Sequence, residues 1–241
     1  MKRNLLFSAV LAMLPMLASA QDWDVTIDGI FYYLDDYSDY GGDTYATVHK
    51  AVDGLAGTVF IPETVTGASG KVYPVTKIDE DAFAQCQQMT AVVIPDNVTF
   101  IGEYAFGECT ALKTVYIGKG LTFIDEDAFE DCSALSDMTV MAATPPNVDS
   151  KYVIDPKIRP LITLHVLTAA IDNYKSDEFW GSFKSIDDKV NIPTAIENVV
   201  ISPSIENRQS FDLLGRQLTQ PQKGFIIIRE ANGNTKKMII K

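Results

Sequence analysis

Catalysis in a single pocket needs a nucleophile, a base and a group that orients it, or else a cluster of metal ligands. The residue types that do such work are sparse in this chain. It has two histidines, His49 and His165, each in a strand-like stretch flanking the centre of the sequence, and three cysteines, Cys86, Cys109 and Cys132. No G-x-S-x-G elbow, phosphate loop, H-E-x-x-H or C-x-x-C occurs. The cysteines are spaced 23 residues apart with no histidine beside them, which argues against zinc. An odd count raises the alternative of a disulfide, but equivalent positions in a repeat favour small apolar core fillers. The acidic stretch from Asp35 to Asp43 lacks the alternating spacing and trailing Glu of a calcium loop. The sequence therefore gives no catalytic residue, no metal site and no cofactor, and the chain reads as a non-enzyme.

What the cysteines do mark is a repeat. Ile78-Asp-Glu-Asp-Ala-Phe83-Ala-Gln-Cys86-Gln-Gln-Met89 returns as Ile101 to Leu112 and again as Ile124 to Leu135, at a period of 23 residues. Each copy runs into an alternating segment, in which Val92/Ile94, Val115/Ile117 and Met138/Val140 point inward. A period of this length predicts a leucine-rich-repeat solenoid, an α/β repeat fold with a parallel sheet and short helical turns. Stacking places the Ile, Phe and Cys positions in columns about 4.8 Å apart. The acidic groups Asp79-Glu80-Asp81 and Asp125-Glu126-Asp127 are expected to open the helical turns, where carboxylates complement free backbone N–H groups.

The pattern I-x-x-x-A-F-x-x-C-x-x-L followed by V-x-I-P, the last written once as Ile94-Pro95, resembles the BspA-like leucine-rich-repeat family. Gly118 and Met141 stand where the family usually has Pro. The resemblance implies a surface protein that adheres to host matrix proteins or to other bacteria.

The rest of the chain is arranged around this repeat. Lys2-Arg3, an apolar run from Leu5 to Leu17 and Ala18-Ser19-Ala20 read as a signal peptide over 1–20. The apolar run is too short to span a bilayer, which takes roughly 20 residues. No later stretch qualifies as transmembrane. Without Lys2 and Arg3, 18 basic residues face 32 acidic ones, a formal charge of −14 that excludes nucleic acid as a partner. Residues 21–57 are expected to form an N-terminal β cap with strands at Gly29–Leu34 and Thr44–His49, and 58–143 the solenoid, with a hairpin excursion near Thr66–Pro74. Five tyrosines between Tyr32 and Tyr45 allow a sugar- or protein-facing patch, but the favoured reading is that half of them are plain strand residues. Residues 144–193 are expected to form a C-terminal capping coil sealed by Ile171, Tyr174, Trp180 and Phe183. Residues 194–241 form a small β-rich unit; with Phe211-Asp-Leu-Leu-Gly215-Arg216 and Lys223-Gly-Phe-Ile-Ile it resembles the C-terminal sorting tail of Bacteroides-type secreted proteins.

Strand alternation sends a second set of side chains to the concave face, where leucine-rich-repeat proteins usually hold partners. The expected set is Ala91, Val93, Lys113, Thr114, Tyr116, Asp137 and Thr139, with Ser136 at its edge. The reading is an exported or cell-surface protein that binds an extracellular protein. An envelope scaffold and a glycan-capturing protein of a nutrient-uptake system are the alternatives.

Overall fold

A computed structural model describes residues 24–38, 42–52 and 54–190, together with the backbone of four strands between 209 and 240. The signal segment 1–20 and most of the tail's connecting turns lie outside the described residues. In chain order the strands are β1 (Asp24–Ile27), β2 (Ile30–Asp36), β3 (Thr44–Ala51), β4 (Ala56–Phe60), β5 (Thr64–Thr66), β6 (Val72–Ile78) and β7 (Gln88–Ile94). These are followed by β8 (Phe100–Ile101), β9 (Thr114–Ile117), β10 (Phe123–Ile124), β11 (Asp137–Val140), β12 (Asn147–Val148), β13 (Thr163–Val166) and β14 (Ser185–Asp187).

Each coil crosses two sheets whose strands run parallel through the repeats, while β1–β2 and β2–β3 pair antiparallel. The first runs β1-β2-β3-β6-β8-β10-β12, and the second β14-β13-β11-β9-β7-β4. The second sheet contains the alternating segments read from the sequence. The first adds a strand per coil that alternation did not reveal, because Phe100–Ile101 and Phe123–Ile124 are only two residues long. The β2–β3 hairpin joins the first sheet through a parallel β3–β6 pairing, and β5 pairs antiparallel with β6 as the expected excursion.

The third side of the coil differs from expectation: the arm forms no helical turn. The N–H groups of Asp81, Phe83 and Gln85 donate to the carbonyls of Glu103, Ala105 and Gly107 in the next coil, at 3.1, 2.7 and 2.8 Å. Tyr104, Phe106 and Glu108 repeat this toward Glu126, Ala128 and Glu130. Between them Ala82, Ala84 and Cys86 donate to the residue three places back. The backbone reaches this alternation through left-handed residues at equivalent places, with φ of 56°, 53° and 53° at Asp81, Tyr104 and Asp127, and 61°, 55° and 52° at Gln85, Glu108 and Asp131. A helix would direct every N–H along the arm, whereas this ladder directs every second one to the neighbouring coil. The acidic side chains therefore do not complement a helix start; the N–H of Asp81 is already bonded to Glu103. Partial desolvation, reinforced by Glu80, Glu126, Asp125 and Asp127, pushes the Glu103 carboxyl above its usual value.

The core lies between the three sides as continuous columns. Phe83, Phe106 and Phe129 are fully buried and stack with centroids 5.0 Å apart at both steps. Outside the core, Thr122 Oγ1 donates to the Thr99 carbonyl and Thr99 Oγ1 to that of Thr76, a hydroxyl ladder at the same period. At the far end α1 (Ile171–Ser176), the one α-helix among the described residues, brings Tyr174 over the last coil, with Trp180 and Phe183 also buried. In the tail, β15 (Gln209–Phe211), β16 (Gln217–Leu218), β17 (Gly224–Arg229) and β18 (Thr235–Ile240) form an antiparallel sheet of order β16-β15-β17-β18.

The coil spacing leaves no room for a side chain at two glycines after β9. A Cβ on Gly120 would lie 2.1 Å from the Asp96 carbonyl oxygen, and one on Gly118 2.6 Å from the backbone of Pro95 and Asp96. Backbone cannot swing aside as a side-chain tip does. Gly120→Ala is therefore expected to destabilise the protein by about 1–3 kcal/mol, seen as a lower urea midpoint. A midpoint equal to the parent's would mean that the coils open at no cost.

Candidate functional site

The outer face of the second sheet is built from two columns of side chains set by strand register. One runs Phe60, Val93, Tyr116, Thr139, His165 and Asp187, and the other Thr58, Ala91, Thr114, Asp137, Thr163 and Ser185. All seven residues expected on this face lie on it or, for Lys113, at its edge. Their exposure is another matter. Val93 and Tyr116 are only 1% and 3% exposed, and Ala91 and Thr139 are buried as well. Phe60, Val93 and Tyr116, with Met141 against them, form a hydrophobic cluster separate from the core. Alternation predicts which way a side chain leaves the strand, but not whether its neighbours about 4.8 Å away close over it. Lys113 is exposed and Thr114 and Asp137 are half-exposed, so these three make up the accessible part.

At the C-terminal end the same face turns polar around His165. Its Nδ1 lies 2.5 Å from Asp187 Oδ1 and its Nε2 3.6 Å from Asp137 Oδ1, while the ring itself is buried. Asp187 also accepts the Lys189 N–H at 3.0 Å, and Ser136 Oγ donates to the other oxygen of Asp137 at 2.7 Å. Neither the pairing nor its place on this face was visible in the sequence. Thr139 to His165 is 26 residues and His165 to Asp187 is 22, so the irregular segment after Val140 hides the period. Desolvation pulls the Asp187 carboxyl upward, but the bonds from His165 and the Lys189 amide and both positive charges hold it below its usual value.

A carboxyl held low in the folded state stabilises the protein at any pH above its unfolded value, about 3.9. That contribution fades as pH falls through the lower folded value. Asp187→Asn is thus expected to lower the melting temperature at pH 7, with the gap to the parent closing as pH falls below about 4. A gap of constant size down to pH 2 would rule out the charge on Asp187 as its source.

His49 is paired as well. On the outer face of the first sheet its Nδ1 lies 3.3 Å from Asp79 Oδ2 and its Nε2 3.0 Å from the Tyr33 hydroxyl. Among the described residues no group of three or more His, Cys, Asp or Glu is placed to hold a metal. The Cys109 and Cys132 thiols are buried and donate to the Phe83 and Phe106 carbonyls at 3.1 and 3.2 Å. Burial pushes Cys109 up to about 12, too high for a reactive thiolate at neutral pH. Cys86 is buried in the same column.

Short parallel strands, one coil per period and uninterrupted Ile, Phe and Cys columns define a leucine-rich-repeat solenoid. Residues 73–149 match the family model of the BspA type leucine rich repeat region, in six copies, and this segment belongs to that family. Among solved structures, a leucine-rich repeat protein from Bacteroides capillosus is 31% identical with a TM-score of 0.46, over 53% of this chain and 88% of that one. The leucine-rich repeat protein of T. pallidum is 16% identical with a TM-score of 0.47, over 68% and 82%. A leucine rich cell surface protein from Faecalibacterium prausnitzii is 22% identical with a TM-score of 0.43; the match spans 70% of this chain but only 44% of that longer one. No curated protein matches the chain. Among the described residues no helix is long and apolar enough to cross a membrane.

Proposed function

We propose that the chain is an exported, non-catalytic binding protein, displayed at the cell surface, whose second-sheet face holds an extracellular protein such as a host matrix component. The observation that carries this reading is the accessible edge of Lys113, Thr114 and Asp137, where adjacent strands in register present polar groups beside the Phe60–Val93–Tyr116 cluster. The cluster itself is closed over by its neighbours, so a partner meets Lys113, Thr114 and Asp137. The signal-like segment 1–20 supports export, and the tail 194–241 is its sorting segment in this reading. Because the solenoid is short, its contact area is small, and affinity per copy is expected to be weak and raised by multivalent display.

The test is binding of the full chain to an immobilised panel of matrix proteins, with Lys113→Glu and Asp137→Asn alongside. Saturable binding weakened about tenfold by either change, about 1.4 kcal/mol, supports the reading. Equal binding by both variants would sink it. Silence across the panel, with the protein held tightly on envelopes, would favour the scaffold role.

A further inference from the structure

The outer face of the first sheet carries a row of side chains that neither hydrophobic cluster uses. Register aligns Tyr33, Thr47, Lys77, Phe100, Phe123 and Asn147 across six successive strands. At about 4.8 Å per strand the row is about 24 Å long. Phe100 and Phe123 are half-buried with nearly parallel rings 5.8 Å apart, and they pack into neither the core nor the smaller cluster. Tyr33 is 40% exposed, and its ring lies 4.0 Å from that of His49 and 5.8 Å from that of Phe31.

Polar groups are interleaved with these rings and held in place. The Tyr33 hydroxyl meets His49 Nε2, His49 Nδ1 meets Asp79, and Lys77 Nζ sits 4.9 Å over the Tyr45 ring. Lys77 and Asp79 each already face a ring or a basic partner, so this strip offers an ionic ligand little net attraction even though the chain as a whole carries −12. The strip is also narrow. A protein partner needs about 800 Å² on each side and a rim that excludes water from the central contacts. A single row of half-exposed rings beside fixed hydroxyl, imidazole, carboxylate and ammonium groups suits a linear, uncharged ligand with apolar C–H faces and many hydroxyls.

We propose that this row is a binding platform for an extended neutral polysaccharide. Sugar faces lie against Tyr33, Phe100 and Phe123, and hydroxyls bond to His49, Asp79 and Lys77. The site is separate from the second-sheet face, and the two readings stand or fall independently.

The experiment is native affinity electrophoresis of the full chain through gels containing a soluble β-glucan, α-glucan, mannan or galactan. The variants are Tyr33→Ala, the Phe100→Ala/Phe123→Ala pair and Lys113→Glu, each checked by thermal melting. At least one polysaccharide is expected to retard the parent. Tyr33→Ala should weaken retardation about tenfold, about 1.4 kcal/mol, while still melting cooperatively as a folded protein, and Lys113→Glu should leave retardation unchanged. Retardation by none of the four, or retardation equal in all variants, would overturn the proposal. Binding to a protein ligand that is lost in Tyr33→Ala, with no polysaccharide bound, would assign the row to a protein and overturn it too.

Discussion

Phe106→Ala is expected to lower the folding free energy by about 3–5 kcal/mol, out of a total of about 5–15 for a domain. Phe106 is the middle ring of the column, fully buried, with Phe83 and Phe129 stacked on its two faces at interplanar angles of 2° and 5°. Truncation removes both ring contacts and leaves a void that the coils cannot close, because their spacing is fixed by the backbone ladder on the third side. The outcome is a large fall in the urea midpoint. Phe100→Ala provides the contrast, since that ring is half-buried on the outer face and should cost far less. If the two changes cost the same, the Phe column is not the centre of the core.

Trp180→Ala is expected to match it, at about 3–5 kcal/mol. The indole is fully buried at the C-terminal end of the solenoid, stacked on Phe183 at 5.6 Å and in edge contact with Tyr174 and Phe179. Its Nε1–H donates to the Pro146 carbonyl at 2.9 Å, so truncation also strips a buried acceptor of its partner. Trp180→Phe separates the two contributions, restoring much of the packing but not the hydrogen bond, and should recover all but about 1–3 kcal/mol. Dye binding to exposed apolar surface should rise in Trp180→Ala. An unchanged midpoint there would mean that the end of the stack is sealed by something else.

The parts of this structure that repeat were legible in the sequence, and the parts that depend on a neighbour in space were not. Ile78, Ile101 and Ile124 share a column because each is 23 residues from the next, and the same count placed the Phe and Cys positions and the inward Val92, Val115 and Met138. The solenoid class followed from the same period, the hairpins from turn residues, and the burial of Tyr174, Trp180 and Phe183 from their size and spacing. The two-residue strands Phe100–Ile101 and Phe123–Ile124 are too short for alternation to register, so half of each coil's sheet structure was missed. The arm was read as helical because Asp-Glu-Asp before an apolar run looks like a helix start, whereas Asp81 and Gln85 take left-handed conformations that such a pattern does not announce.

The candidate site divided in the same way. Which residues share the second-sheet face followed from period-2 alternation. The burial of Val93 and Tyr116 depended on lateral packing with Phe60, whose strand lies 33 residues upstream in register. His165 met Asp187 only because the stretch carrying α1 returns the chain to the sheet in parallel register.

Partner strands in the second sheet are separated by between 22 and 33 residues, as His165↔Asp187 and Phe60↔Val93 mark the limits. For a chain of 241 residues these are short loops, and no pairing in this sheet has to wait for the two ends to find each other. Loop closure is therefore inexpensive at every step, which places the solenoid at the fast end for a protein rich in parallel strands. Order can start at any adjacent pair of coils and spread in both directions. A chain emerging N-terminus first can complete each coil as the next 23 residues arrive, so little apolar surface waits uncovered and aggregation has a brief opportunity.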